Sequence, residues 1–172
     1  MLGKRLLLEK DREGYWLRLG GRRYRAAIGK GGIRTGKEEG DGATPVGVWP
    51  LRELLFRPDK EPPPATGLPS RAIAPDEGWC DAPEDPNYNR PVRLPFGPSH
   101  EKLWREDSLY DLVVPLGYND DPPLPGKGSA IFLHVAREGY LPTEGCIALK
   151  AEDLRQLLPQ LSAGDVIEVQ AE

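Results

Sequence analysis

Cys146 and His134 are the residues of this sequence whose types and spacing could together carry out covalent chemistry. A cysteine attacks as its thiolate. With an unperturbed pKa near ~8.5, only a small fraction is ionised at neutral pH unless a neighbouring imidazole takes the proton. His134 closes the apolar run Ala130-Ile131-Phe132-Leu133, and Cys146 follows Gly145 twelve positions later, so both can line one pocket. Acyl transfer also needs hydrogen-bond donors for an oxyanion, and a glycine before the nucleophile lets backbone N–H groups approach the reacting carbonyl. Gly145 and the amide of Cys146 fit that need. By residue type alone, a buried structural thiol and a core histidine fit the same positions.

Elements that could hold the pair can be read along the chain. Arg5 to Glu9, Tyr15 to Leu19 and Tyr24 to Ile28 mix apolar and basic residues between turn signals, which predicts an antiparallel meander. Gly29 to Gly42 reads as a loop, Pro45 to Leu51 as a strand or turn, and Leu51 to Phe56 as a helical turn. Proline recurs from Pro58 to Pro98 too often for a regular helix or central strand, so this segment is expected to be a long loop serving as a lid. Leu109 to Gly117 predicts a strand, with Pro115 arguing for an edge position or a bulge, and Ser129 to His134 a buried strand. Leu154, Leu157, Leu158 and Leu161 recur at helical spacing before a closing strand at Val166 to Val169.

The whole chain, residues 1–172, is read as one domain, mainly β, with one short helix. Its formal charge of -4 has no block of one sign, which excludes the electrostatic footprint of a nucleic-acid binder. No apolar run approaches the ~20 residues of a bilayer span, and Leu6-Leu7-Leu8 is too short for a secretory leader, so no export signal is expected. Two cysteines are too few for a disulfide framework, although one bridge between Cys80 and Cys146 would quench the nucleophile. Cys80, His100, His134 and Cys146 lie 20, 34 and 12 positions apart, without the short-range pair of a zinc site, so neither a metal nor another cofactor is expected.

The stretch from Gly128 to Leu149, GSAIFLHVAREGYLPTEGCIAL, resembles the signature of the YkuD-like L,D-transpeptidases, a histidine followed after a variable loop by Ser/Thr-X-Gly-Cys. Thr143-Glu144-Gly145-Cys146 matches that ending. GDGATPVGVWPL from Gly40 is similar to the family's Gly-Asp-Gly-X-Thr-Pro-X-Gly element. GWCDAPEDPNYNRPV from Gly78 and LWREDSLYDLVVPLGYN from Leu103 resemble a proteobacterial branch. The chain departs from many members in having Glu144 in place of a histidine and Ala148 in place of an arginine or asparagine.

The resemblance implies a β-sandwich or curved mixed sheet with the proline-rich loop over a cleft. It also implies a peptidoglycan cross-linking enzyme in which Cys146 forms a thioester with a stem peptide at diaminopimelate, and His134, oriented by a backbone carbonyl, moves the proton. Water as acceptor would make the same site a carboxypeptidase or a muropeptide-trimming enzyme, and the attacked bond could lie on either side of diaminopimelate. A non-catalytic wall-binding module is the rival from another class. Tyr88, Asn89 and Arg90 on the long loop, with Asn119, Thr143 and Glu144, are the implied substrate-binding residues, Arg90 for a carboxylate. A monomer, acylated by carbapenems and acting in the periplasm or cell envelope, is expected from the family. The missing export signal leaves the cytoplasm open.

Overall fold

The computed structural model describes residues 2–172. The N-terminal meander forms as expected from β1 (Arg5–Asp11), β2 (Gly14–Leu19) and β3 (Arg22–Ala27). Side chains alternate across a strand, which buries Leu6, Leu8, Leu17, Tyr24 and Ala26. Parallel pairing of β4 (Ile33–Arg34) with β5 (Thr44–Pro45) ties down both ends of the glycine-rich loop. β6 (Gly47–Pro50) follows directly.

Leu51 to Phe56 does not make the expected helical turn, because Leu54–Phe56 is a strand, β7. All three of its residues are buried, and pairing with a strand on either side satisfies their backbone groups. The proline-rich stretch is also more regular than expected. It contains β8 (Ser70–Ala72), β9 (Glu77–Cys80) and β10 (Pro91–Arg93), and β9 lies at the centre of a three-stranded antiparallel sheet with β10 and β11 (His100–Lys102). β9 falls between Pro75 and Pro83, and Pro91 begins an edge strand, so no ladder hydrogen bond is lost at a centre.

β12 (Leu112–Pro115) is an interior strand rather than an edge. Pro115 is tolerated because β7 pairs only with Leu112 and Val113, leaving the proline beyond that contact. β13 (Phe132–Val135), β14 (Ile147–Leu149), the helix α1 (Ala151–Leu157) and β15 (Val166–Val169) complete the chain.

Ten strands form one mixed sheet in the order β6-β15-β1-β2-β3-β14-β13-β12-β7-β8. β6 is at one edge and β7 is next to the other, yet only residues 51–53 connect them. Three residues reach about 10 Å, so the sheet must curl until its two ends meet. Leu51 bridges to Leu116 across that seam, and the Trp49 and Tyr118 rings meet edge to face at 4.9 Å.

The curled sheet has a core on each face. The enclosed core collects Leu6, Leu17, Leu112, Leu133, Ile147 and Leu149 with the predicted helical leucines Leu154, Leu157, Leu158 and Leu161. On the outer face, beneath the three-stranded sheet, Leu55, Ile73, Trp79, Leu103, Tyr110, Val113 and Phe132 pack with Cys146. Burial on both faces explains why β12 and β14 read as unbroken apolar runs, and why β13 is apolar but for His134.

Candidate active site

The parallel register of β13 with β14 brings the two chemical residues together. Leu133 pairs with Ile147 and His134 with Ala148, which sets Cys146 level with Phe132. Phe132 and His134 therefore share a face with Cys146, while Leu133, Val135, Ile147 and Leu149 point into the opposite core. Cys146 and His134 both line one cleft with a volume of about 320 Å³.

A neutral, oriented imidazole stands at this site. Nδ1 of His134 lies 2.9 Å from the carbonyl oxygen of Val135, so that nitrogen carries the proton and donates, leaving Nε2 as the basic position. Burial lowers the His134 pKa to about 4, against the opposing pull of the Val135 and Leu109 backbone. The Tyr110 ring packs edge to face on the imidazole at 5.3 Å, and its hydroxyl donates to Glu101.

Cys146 is a free, buried thiol that donates to the carbonyl oxygen of Ala130 at 3.2 Å. The N–H of Phe132 donates to its sulfur at 3.3 Å. Burial, and next the Glu101 carboxylate, push its pKa up to about 12, whereas the Phe132 N–H and then the Lys37 ammonium pull it down. The resting pair is thus neutral thiol and neutral imidazole, with the thiol proton held by a backbone carbonyl. Cys80 is a second free thiol, buried in β9, and no bridge quenches Cys146.

The turn before the nucleophile is fixed from several directions. Gly145 adopts φ +135, and a Cβ there would meet the carbonyl oxygen of Ala43 at 2.9 Å, so only glycine suits the position. Its N–H donates to Thr143 Oγ1 at 3.1 Å, and its carbonyl accepts from Thr44 Oγ1 at 2.9 Å. The Thr143 hydroxyl donates to the carbonyl of Cys146 at 2.6 Å. Thr44 belongs to the Gly40–Leu51 element, which therefore supports the Gly145-Cys146 turn. Two expectations change here. The Gly145 N–H is already engaged and is not an open oxyanion donor, and the Thr143 hydroxyl is spent inside the turn although the residue lines the cleft.

Other expected substrate contacts lie elsewhere. Tyr88 is buried, donating to Glu39 at 2.7 Å and accepting from the Gly128 N–H at 3.0 Å. Asn89 is buried as well. Its Oδ1 accepts from Trp79 Nε1 and from the Ala130 N–H, both at 2.9 Å, and its Nδ2 donates to the carbonyls of Tyr118 and Asn119. Asn119 closes its own loop through Leu124 and Gly128. Arg90 is exposed and lines a separate pocket with Trp79, Arg52 and Asp120. None of these four lines the cleft: Tyr88, Asn89 and Arg90 lie in the connection from β9 to β10, and Asn119 in the connection from β12 to β13. Of the proline-rich stretch only Asp81 lines the cleft, so the segment forms a wall. Glu144 does stand at the cleft, exposed and paired with Lys30 at 2.9 Å.

Five residues that the motif reading passed over line the cleft instead: Lys37, Glu101, Arg105, Tyr110 and Arg137. Burial raises the Glu101 pKa, and the Asp81 and Glu39 carboxylates add to it. Arg137, exposed at the rim three positions after His134, has no ion-pair partner among the described residues. Its closeness to His134 in the sequence was the one available signal.

A family model, the L,D-transpeptidase catalytic domain called YkuD, matches residues 4–169. The chain belongs to this family. Members are cysteine-dependent L,D-transpeptidases that act on peptidoglycan stem peptides and typically work in the cell envelope. No curated protein matches the chain. Among solved structures it is similar to Bd1075 of Bdellovibrio bacteriovorus, at 17% identity and a TM-score of 0.47, over 98% of this chain and 48% of that one. It is also similar to L,D-transpeptidase 1 of Mycobacterium tuberculosis, at 13% identity and a TM-score of 0.41, over 98% of this chain and 63% of that one. The chain thus spans between about half and two thirds of their length. No helix is long and apolar enough to cross a membrane among the described residues. Ala148, two positions after the cysteine, is buried and in register with His134.

Proposed function

We propose that this protein is a peptidoglycan L,D-transpeptidase that forms cross-links at diaminopimelate through a thioester on Cys146. The observation that carries the reading is the shared sheet face of Cys146 and His134 at one cleft, with Nδ1 of the histidine committed to the Val135 carbonyl. In the first step the thiol leaves the Ala130 carbonyl, its proton passes to Nε2 of His134, and Sγ bonds to the peptide carbonyl carbon. The C–N bond then breaks as the imidazolium returns the proton to the leaving amine. An amine from a second stem attacks the thioester and gives its proton to Nε2; the C–S bond breaks, leaving the new amide, and Sγ takes the proton back from Nε2. Water in place of that amine gives carboxypeptidase products.

The cleft suits a zwitterionic amino-acid head group such as that of diaminopimelate. Arg137 offers planar donors to a carboxylate, whereas the fork of Arg105 is engaged by Asp107, and Glu39, Asp81 and Glu101 offer acceptors to an ammonium. Peptidoglycan in the cell envelope is the matching substrate and location. The test is incubation of the protein and of Cys146→Ala with tetrapeptide- and pentapeptide-bearing muropeptides, with products separated by liquid chromatography and mass spectrometry. Dimers or trimmed stems from the wild type alone support the reading. Equal wall binding by both proteins without turnover would instead identify a binding module.

A further inference from the structure

Lys37 is a charged residue that neither the motifs nor the acyl-transfer scheme accounts for. It lies in the glycine-rich loop between β4 and β5, its side chain is 3% exposed, and it lines the cleft with Cys146. Burying an ammonium is costly unless it is paired and its remaining donors are hydrogen-bonded. Its pairing is a single contact, Nζ to Asp41 Oδ1 at 2.7 Å. An ammonium has three N–H donors, and the other two have no protein partner among the described residues. Asp41 meanwhile shares its charge with the backbone N–H groups of Glu38 and Ala43.

Position gives those free donors a target. Nζ lies 3.5 Å from where a Cβ on Gly145 would stand, beside the peptide that leads into Cys146. The stem is held in place at Gly128, where an added Cβ would come within 2.9 Å of the Lys37 Cε. Gly128 itself is held by Tyr88, and the adjacent Ser129 donates to Glu39, which also accepts from Tyr88. The cluster expected to bind substrate is thus the scaffold that fixes the lysine.

We propose that Lys37 Nζ is the second donor of the oxyanion site, acting beside the Cys146 N–H in place of the engaged Gly145 N–H. This inference rests on the acyl-transfer reading above. As Sγ bonds to the carbonyl carbon, the carbonyl π pair moves onto oxygen, and Lys37 donates a hydrogen bond to that oxygen while keeping its proton. When the C–N bond breaks, the pair returns to the carbonyl and the lysine is unchanged. A buried cation at this point also offsets the Glu101 and Glu144 carboxylates, which oppose negative charge on the sulfur.

The test compares two reactions of Cys146, one that forms an oxyanion and one that does not. The protein, Lys37→Met/Asp41→Asn, which removes the buried ion pair and leaves only the half-exposed Arg34 without its 3.6 Å partner, and Lys37→Arg are each given tetrapeptide muropeptide and a carbapenem as acyl donors, and iodoacetamide as an alkylating agent. The double variant should lose about 10²- to 10³-fold in acylation, as expected for one oxyanion donor. Alkylation should fall by less than about tenfold, and Lys37→Arg should recover at least about tenfold of the lost acylation by retaining a cation. Acylation within about threefold of wild type, or acylation and alkylation falling in parallel, would overturn the assignment. A wild type that is alkylated but acylated by neither donor would remove the acyl-transfer reading itself, and this inference with it. Should the double variant prove unfolded by circular dichroism, Lys37→Met, in which Asp41 keeps Arg34 and the Glu38 and Ala43 N–H groups, takes its place under the same two criteria.

Discussion

The charge states of two side chains govern how this site starts its chemistry. A thiol held near 12 beside an imidazole held near 4 is not a preformed thiolate–imidazolium pair. The iodoacetamide alkylation rate of Cys146 should therefore rise about tenfold per pH unit from pH 6 to pH 9 without a plateau, since the thiolate fraction grows in that proportion below the pKa. A plateau near neutrality would mean that the ion pair exists at rest. The imidazole has a stability consequence of opposite origin. Folding lowers the His134 pKa from 6.5 to about 4, so the unfolded chain takes up the proton first. The unfolded state then binds more protons between those values, and stability falls as pH drops from about 6.5 towards 4. The full difference corresponds to about 3 kcal/mol. Urea unfolding at pH 7 and pH 4.5 should show this loss in the wild type and a smaller one in His134→Gln, and an identical loss in both would contradict it.

Strand register and loop anchoring decide which residues reach the cleft. Asn89 joins the three-stranded sheet to the entrance of β13, and one of its partners is the N–H of Ala130, a non-glycine residue at φ +53. The carbonyl of that same residue receives the Cys146 thiol. Asn89→Ala would leave buried donors of Trp79 and Ala130 without acceptors, at a cost of roughly 3 kcal/mol. It should also lower muropeptide turnover by releasing the strained carbonyl, whereas Arg90→Ala, at a separate pocket, should leave turnover within about twofold. Thermal unfolding and product analysis of the two variants check both outcomes. Turnover lost in Arg90→Ala would bring the proline-rich segment back as a binding element.

Closure of the curled sheet and its two cores set the stability of the whole molecule. Phe132 packs against Trp79 at 5.0 Å and Tyr110 at 5.7 Å, directly beside the cysteine. Phe132→Ala should cost about 3–5 kcal/mol and disorder the cleft floor. Leu154→Ala, in the enclosed core, should cost about 2–5 kcal/mol with less effect on the alkylation rate of Cys146. Denaturant unfolding combined with that rate separates the two. Equal effects on the rate would mean that the cores are not independent supports of the site.

The sequence by itself determined the parts whose causes are local. Alternation produced the N-terminal meander, helical spacing placed Leu154 and Leu157 in α1 with Leu158 and Leu161 in and just after the 3-10 turn that follows, and the apolar run ahead of His134 supplied the first half of β13 at Phe132 and Leu133. The Gly145-Cys146 turn and the histidine stood out through the resemblance of Gly128 to Leu149 to a family signature, since residue types and spacing alone fit a structural thiol and a core histidine equally. Leu54–Phe56 was not, since a short apolar run forms either a helical turn or a strand, and only β12 and β8 on its flanks make it a strand. Nor could spacing reveal that Tyr88 and Asn89 turn inward or that Lys37, Glu101 and Arg137 line the cleft with Cys146. Those placements follow from β9 packing under the sheet and from the β13–β14 register, which join residues far apart in the chain. Tertiary structure decided them, because charge and burial at the cleft depend on neighbours that no local pattern specifies.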